Sequence, residues 1–309
     1  MVVPTVASDQ RRPARAFARP LTRLPRRARL AFLVGYRSLA NFFHHHGVSW
    51  SAAIAFWLVL SLPPLLIALS SLIGQFLGHE TARAVLADQV ATQLPAEGWM
   101  IGDIVDEEVS LLSLAGLGSL AFLLFSASRV FGALVTAINV MWRHVEEDGL
   151  LRRTLKRGLL LLLTGGLLLG SVALQLGIAG SDAEGPSLGD VLTRFVLPFL
   201  LVLGGLFLVY RLVPNGGVSW RTALTGALLA AISLRAAQAG FWLLLTEYLD
   251  FDTAYGPLAG VAVLMTWAVV ASAIVLLGAE LVATLDRHRI RQLPLPSSQT
   301  GQPEATPDG

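Results

Sequence analysis

One long apolar stretch with a single internal charge constrains this chain most strongly. Between Arg221 and Glu247 lie 25 residues, and Arg235 is the only charged one among them. As a helix, this stretch is about 37 Å long, enough to cross a hydrocarbon core of about 30 Å. Neither half can cross alone, so a spanning helix places Arg235 deep in the membrane. A charge at that depth usually faces a bundle interior or an aqueous cavity.

The composition favours a polytopic membrane protein. The chain is 54% hydrophobic and only 14% charged, whereas soluble domains have about 25% charged residues. It contains no cysteine, which excludes disulfides, zinc-thiolate sites and cysteine nucleophiles. We therefore predict an all-α membrane helix bundle.

The apolar runs predict six transmembrane helices. They lie at about 50–77, within 109–142, and at about 158–180, 191–210, 221–247 and 254–285. Together with a helix before them, they make a membrane domain over 30–290. Residues 1–29 and 291–309 are predicted to be disordered tails.

The first predicted span carries a proline pair at its centre, Pro63 and Pro64. Proline removes a backbone donor and clashes with the preceding turn, so we expect a kink or break there. Such a hinge would open a groove against the sixth span, where Gly256 and Gly260 permit close approach.

The segment before the first span has the pattern of an amphipathic helix. Within 30–46, apolar residues recur at helical spacing, which predicts a helix lying in the membrane interface. His44, His45 and His46 follow one another, so their side chains point in different directions and make a poor metal site. We interpret all three as polar interface residues.

Charge is distributed unevenly between the two sides of the predicted bundle. Residues 1–46 and 287–309, together with the loops 143–157 and 211–221, hold 19 of the 23 basic residues. The other three loops hold 13 of the 21 acidic residues. Because basic loops stay inside, this pattern predicts six spans with both termini in the cytoplasm.

The arginine-rich tail and the acidic loop each have a sharper alternative reading. The tail could be a nucleic-acid-binding arm, but attraction to anionic lipid is the commoner case, so no nucleic-acid partner is predicted. Residues 79–108 hold seven carboxylates, which could bind a divalent cation but are better interpreted as a solvated acidic face. No metal and no cofactor are predicted.

Four sequence stretches give the chain a family resemblance. They are Ser51-Ala-Ala-Ile-Ala-Phe-Trp57 leading to Leu60-Ser-Leu-Pro-Pro64, Tyr210-Arg-Leu-Val-Pro-Asn215, Ala254-Tyr-Gly256 and Leu277-Gly-Ala-Glu-Leu281. With the six spans, they resemble the YihY/virulence factor BrkB family of bacterial inner-membrane proteins. Trp57 stands where that family usually has tyrosine. The resemblance implies membrane location and, more weakly, transport; the family's old label of ribonuclease BN is regarded as a misassignment.

Two intramembrane arginines, Arg129 and Arg235, form the core of the predicted site. Arg235 lies about 24 Å from the cytoplasmic end of its span. Arg129 has two placements: it lies about 20 Å deep if Trp142 marks the cytoplasmic end, which the apolar residues after Arg129 favour, or at the inner interface if residues 109–128 already form the span. No acidic residue lies at the deeper level. We hypothesise that they face a shared polar cavity and bind an anionic lipid or similar amphiphile. The alternative is that each arginine bonds carbonyls freed by proline, or snorkels.

Three further residues complete the predicted binding set: Glu280, Asn139 and Tyr255. The resulting function is that of an inner-membrane transporter-like protein that acts on an anionic amphiphile. An envelope scaffold is the alternative, and a ribonuclease is disfavoured because no catalytic framework is evident. No enzymatic activity is predicted. Membrane lipids are the expected partners, and the oligomeric state is left open, a homo-oligomer included.

Reporter fusions test the predicted topology. A reporter that works only in the cytoplasm should be active after Leu151 or at the C-terminus, because these positions follow basic segments. It should be silent after Asp88 or Asp182. Activity at Asp88 would overturn the topology.

Overall fold

In the computed structural model, the described residues are 26–78, 114–142, 158, 166, 196–214, 217–247 and 255–290. Over these residues the chain is helical. The helices are α1 (Arg26–His44), α2 (Gly47–Leu77), α3 (Leu114–Trp142), α4 (Leu197–Leu212), α5 (Trp220–Glu247) and α6 (Ala259–Ile290). A short 3₁₀ turn, Gly256–Leu258, precedes α6.

Four of these helices are long and apolar enough to cross a membrane: α2, α3, α5 and α6. The all-helical class and four of the six predicted spans are thus confirmed at this level. Helix α4 is apolar but shorter, at 16 residues. The predicted span at 158–180 and the predicted tails lie almost entirely outside the described residues.

Helix α6 is the centre of the described bundle. It packs against α2 and α5 along its sides and also contacts α1, α3 and α4. Helices α2 and α3 form a second closely packed pair, and α4 packs on α5. Each of the other five described helices therefore contacts α6.

The helix ends meet in a way that defines one end of the bundle. Phe42, Trp142, Tyr210, Val218 and Val282 belong to one buried apolar cluster. Helices α1, α3, α4 and α6 therefore end where α2 and α5 begin. We call this the basic end, because the arginine-rich segments predicted to be cytoplasmic join the bundle there.

Helix α2 passes through its two prolines without interruption. It is a continuous α-helix from Gly47 to Leu77, with Pro63 exposed and Pro64 buried. The prolines cannot donate to the carbonyls of Val59 and Leu60. A break at this point was therefore the wrong expectation, whereas a bend without a break stays a prediction.

Helix α1 presents two different faces. Val34, Ser38 and Phe42 are buried in a helix that packs mainly on α6. Large apolar side chains on other positions are exposed: Phe32, Tyr36, Leu39 and Phe43. Their spacing forms a stripe along the helix. The stripe fits the predicted interfacial position, which stays a prediction.

Small residues allow α5 and α6 to approach closely. A Cβ added at Gly278 would meet the Tyr210 hydroxyl and would lie 2.9 Å from Ala230 Cβ. A Cβ added at Gly226 would overlap the side chain of Val282. Neither Ala230 nor the β-branched Val282 can move aside easily, so these glycines set the distance between the helices.

We predict that Gly278→Ala destabilises the protein by about 1–3 kcal/mol, because the added methyl overpacks the contact with Ala230. Gly240→Ala is the matched control, since its Cβ would meet nothing within 4 Å. Thermal unfolding in detergent measures both. Equal melting temperatures for the two variants would show that the close approach does not limit packing.

Candidate functional site

Arg235 lies near the middle of α5, at the margin between its buried and exposed sides. The buried side is marked by Ala227, Ala230, Ala231 and Phe241, and Arg235 itself is half-buried. Its Nη1 donates to Gln238 Oε1 at 3.2 Å, one turn further along. Its Nη2 is buried and has no hydrogen-bond partner within the described part of the chain. The guanidinium therefore has donor capacity available inside the apolar bundle.

Arg129 occupies a different environment at a similar depth. It lies halfway along the apolar helix Gly116–Trp142, about 20 Å from either end, which favours the deeper of its two placements. The residue is exposed. Its guanidinium carbon lies 5.1 Å from the ring centre of Phe125 and 5.8 Å from that of Trp57. These distances are typical of cation–π contacts, so aromatic faces replace some of the lost hydration.

The two arginines contact different groups. Arg129 is held by rings of α2 and α3, whereas Arg235 bonds to a residue of its own helix. Helix α3 packs chiefly on α2 and α6, and α5 packs chiefly on α6 and α4. The shared cavity predicted from sequence therefore stays a prediction.

Glu280 is the centre of a buried charged cluster at the basic end. Its Oε1 accepts a hydrogen bond from Arg287 Nη2 at 3.0 Å, and its Oε2 accepts one from His45 Nδ1 at 3.1 Å. The carboxyl group is fully buried, whereas Arg287 is about one-third exposed. Arg287 also reaches Thr284 Oγ1 at 3.4 Å and the Met141 carbonyl at 3.5 Å. The cluster joins α6 to the end of α3 and to the turn between α1 and α2.

His45 corrects the interpretation of the histidine run. His44 and His46 are exposed, but His45 is buried and bonded to Glu280. The three histidines are therefore not equivalent polar interface residues. One signal for the cluster was present in the sequence: Arg287 follows Glu280 by seven residues, which places both on one helix face. The pairing with His45, 235 residues away, has no such local signal.

Asn139 and Tyr255 lie at opposite ends of the bundle. Asn139 is half-buried one turn before Trp142, and its Oδ1 is buried without a donor among the described residues. Tyr255 is exposed and precedes the turn that leads into α6. The structure therefore does not gather all the predicted binding residues at one place. The substrate-binding roles of these two residues and of Glu280 stay predictions.

Two of the stretches that carry the family resemblance meet at the basic end. Tyr210 is fully buried and its hydroxyl donates to the Val275 carbonyl at 2.7 Å. The same hydroxyl lies over Gly278, just before Glu280. Sequence reasoning did not select Tyr210, which ties α4 to α6 beside the charged cluster.

Metal binding has no support within the described residues, where no three histidine, aspartate or glutamate side chains are grouped to hold an ion. Two ion pairs among the described residues involve Glu280. These features define a helical membrane protein with charged groups inside its apolar part.

Comparison with known proteins identifies the family. The model of the family described as Virulence factor BrkB matches residues 38–302, which is most of the chain. The chain belongs to this family, as the sequence resemblance predicted.

The curated relatives carry a name that specifies location without activity. A UPF0761 membrane protein of Rhodospirillum centenum is 30% identical over 87% of this chain and 61% of its own length. One from Tolumonas auensis is 35% identical over 56% of this chain and 58% of its own length. The chain thus spans about three-fifths of these relatives.

A third relative, from Vibrio vulnificus, is 28% identical over 85% of both chains. No solved structure matches the chain. Membrane location is therefore established through the family, whereas substrate and activity are matters for proposal.

A double-mutant cycle tests whether Glu280 and Arg287 act as a pair. Glu280→Gln and Arg287→Gln should each lower the melting temperature, because each leaves a charged partner incompletely neutralised. The double variant should lose less than the sum of the single losses. Strict additivity in thermal unfolding would show that the pair contributes no coupling.

Proposed function

We propose that this protein is an inner-membrane transporter-like protein that binds, and moves, an anionic amphiphile at Arg235. The observation that carries the proposal is the buried Nη2 of Arg235, which has no acceptor within the described part of the chain. The proposal includes no catalytic step.

The chemistry of the guanidinium favours an anionic ligand. Arginine stays charged in proteins and offers five donors in a planar fork. At Arg235 the amide oxygen of Gln238 accepts one of these bonds and supplies no negative charge. A phosphate or carboxylate oxygen at Nη2 would accept the free bond and neutralise the charge at the same time.

The exposed position of Arg129 supports entry from the lipid. Its guanidinium lies on the outer surface of the α2–α3 pair, beside Trp57 and Phe125. An amphiphile that approaches within the bilayer would meet this cation with its headgroup and the neighbouring rings with its chain. We propose that Arg129 makes this lateral contact and that Arg235 binds deeper.

The proposed orientation places the basic end in the cytoplasm. Helices α1, α3, α4 and α6 end there together, and the basic segments 143–157, 211–221 and 287–309 join the bundle at these ends. The arrangement supports both termini being cytoplasmic. It also places the Glu280 cluster near the cytoplasmic surface.

Lipid co-purification tests the role of Arg235. Mass spectrometry should find that Arg235→Leu loses bound anionic lipid several-fold relative to wild type, whereas Arg235→Lys loses less, because lysine keeps the charge without the bidentate fork. Arg129→Leu should show a smaller loss. Arg221→Gln is the matched control on the same helix: it removes a charge that lies against Trp220 at the helix start.

The alternative of an envelope scaffold predicts another pattern. In that case both leucine variants would retain the same bound lipids and would complement a deletion strain fully. That result would contradict the proposal.

A further inference from the structure

The turn between α1 and α2 is fastened to α6 through one histidine. His45 follows the last residue of α1, and its N–H donates to the Asn41 carbonyl at 2.8 Å. His46 has a positive φ of 56°, unusual for a residue other than glycine. The chain therefore reverses sharply here, and His45 Nδ1 reaches Glu280 Oε2 across the interface.

Glu280 also forms an ion pair with Arg287, next to its contact with His45. Arg287 neutralises one oxygen of Glu280 from the solvent side. The other oxygen is left to His45, and both His45 and Glu280 are buried. The net charge of the cluster therefore depends on whether His45 carries one proton or two.

Few other charged groups face His45 from the described helices. Helix α1 contributes Arg37, on the preceding turns, and His44, whose ring centre lies 5.5 Å from that of His45. Helix α6 contributes Glu280, Arg287 and Asp286, and the remaining charged residues of α1 and α6 lie further along each helix. His46 heads α2, which has no charged residue from Gly47 to Leu77, and α3 carries only Arg129 at mid-span. Glu280 is thus the carboxylate in direct contact with His45.

We propose that His45 and Glu280 form a proton-binding site that controls how tightly α1 docks on α6. A protonated His45 forms a hydrogen-bonded ion pair with the carboxylate, in which donor and acceptor carry opposite charges. When His45 loses the proton, Nδ1–H can still donate to the carboxylate, but the attraction between two full charges is gone. Docking is therefore tighter when His45 is charged and loosens when the pH is raised far enough to remove that proton.

Helix α1 has an apolar face that does not pack on α6, so a change in docking alters how α1 contacts the membrane. Its exposed stripe of Phe32, Tyr36, Leu39 and Phe43 faces away from the buried side that packs on α6. A loosened α1 exchanges contact with α6 for contact with the surrounding membrane. This inference goes beyond the proposed anion binding and does not depend on it.

The absence of cysteine in the chain makes the docking measurable. Spin labels on Leu39→Cys in α1 and Thr225→Cys in α5 report the distance between these exposed positions in full-length protein in nanodiscs. The short-distance population should fall as the pH rises from about 5.5 to about 8. A pH-independent distance in the wild-type background would overturn the proposal.

Matched variants assign the effect to one residue. His45→Gln should abolish the pH dependence, whereas His44→Gln, next to it and exposed, should retain it. Glu280→Gln keeps the shape of the side chain without its charge and should give weak docking at every pH. The proposal is overturned if His45→Gln keeps the wild-type pH dependence. Should that variant fail to fold, an unchanged pH response in Glu280→Gln overturns it equally.

Discussion

The cost of holding a charged guanidinium in apolar surroundings governs this structure. A charge there needs water, a partner or a ligand, and the two mid-span arginines meet this need differently. Arg129 lies exposed over two aromatic rings, whereas Arg235 is half-buried and shares one donor with Gln238. The buried Nη2 of Arg235 has no acceptor among the described residues, and an anion at this position would accept its hydrogen bond.

At the basic end, by contrast, the buried charge has hydrogen-bond partners within the protein. Glu280 is fully buried, yet both of its oxygens are bonded, to Arg287 and to His45. Tyr210 and Gly278 bring α4 close to α6 beside it. At the basic end, the hydrogen bonds of Glu280 hold the helix ends together. At mid-span, Nη2 of Arg235 has no acceptor among the described residues. The two regions can therefore be altered separately.

Much of the fold was predictable because its signals are local. The bounds of α5 and the position of Arg235 near its middle follow from the length of one apolar run and the position of one charge. The exposure of Arg129 was not predictable, because lipid and protein core are both apolar and the faces of α3 carry similar residues. The partner of His45 was not predictable either, since the pairing depends on how α1 packs on α6. The continuity of α2 through Pro63 and Pro64 was not predictable either, because each proline removes a backbone donor.

The central claim is that Arg235 binds an anion inside the bundle. An experimental structure in lipid nanodiscs tests it most directly. The expected result is density for a phosphate or carboxylate group at about 2.7–2.9 Å from Arg235 Nη2, the distance of a charge-assisted hydrogen bond. Density that shows this guanidinium paired with a carboxylate of the protein itself would contradict the claim.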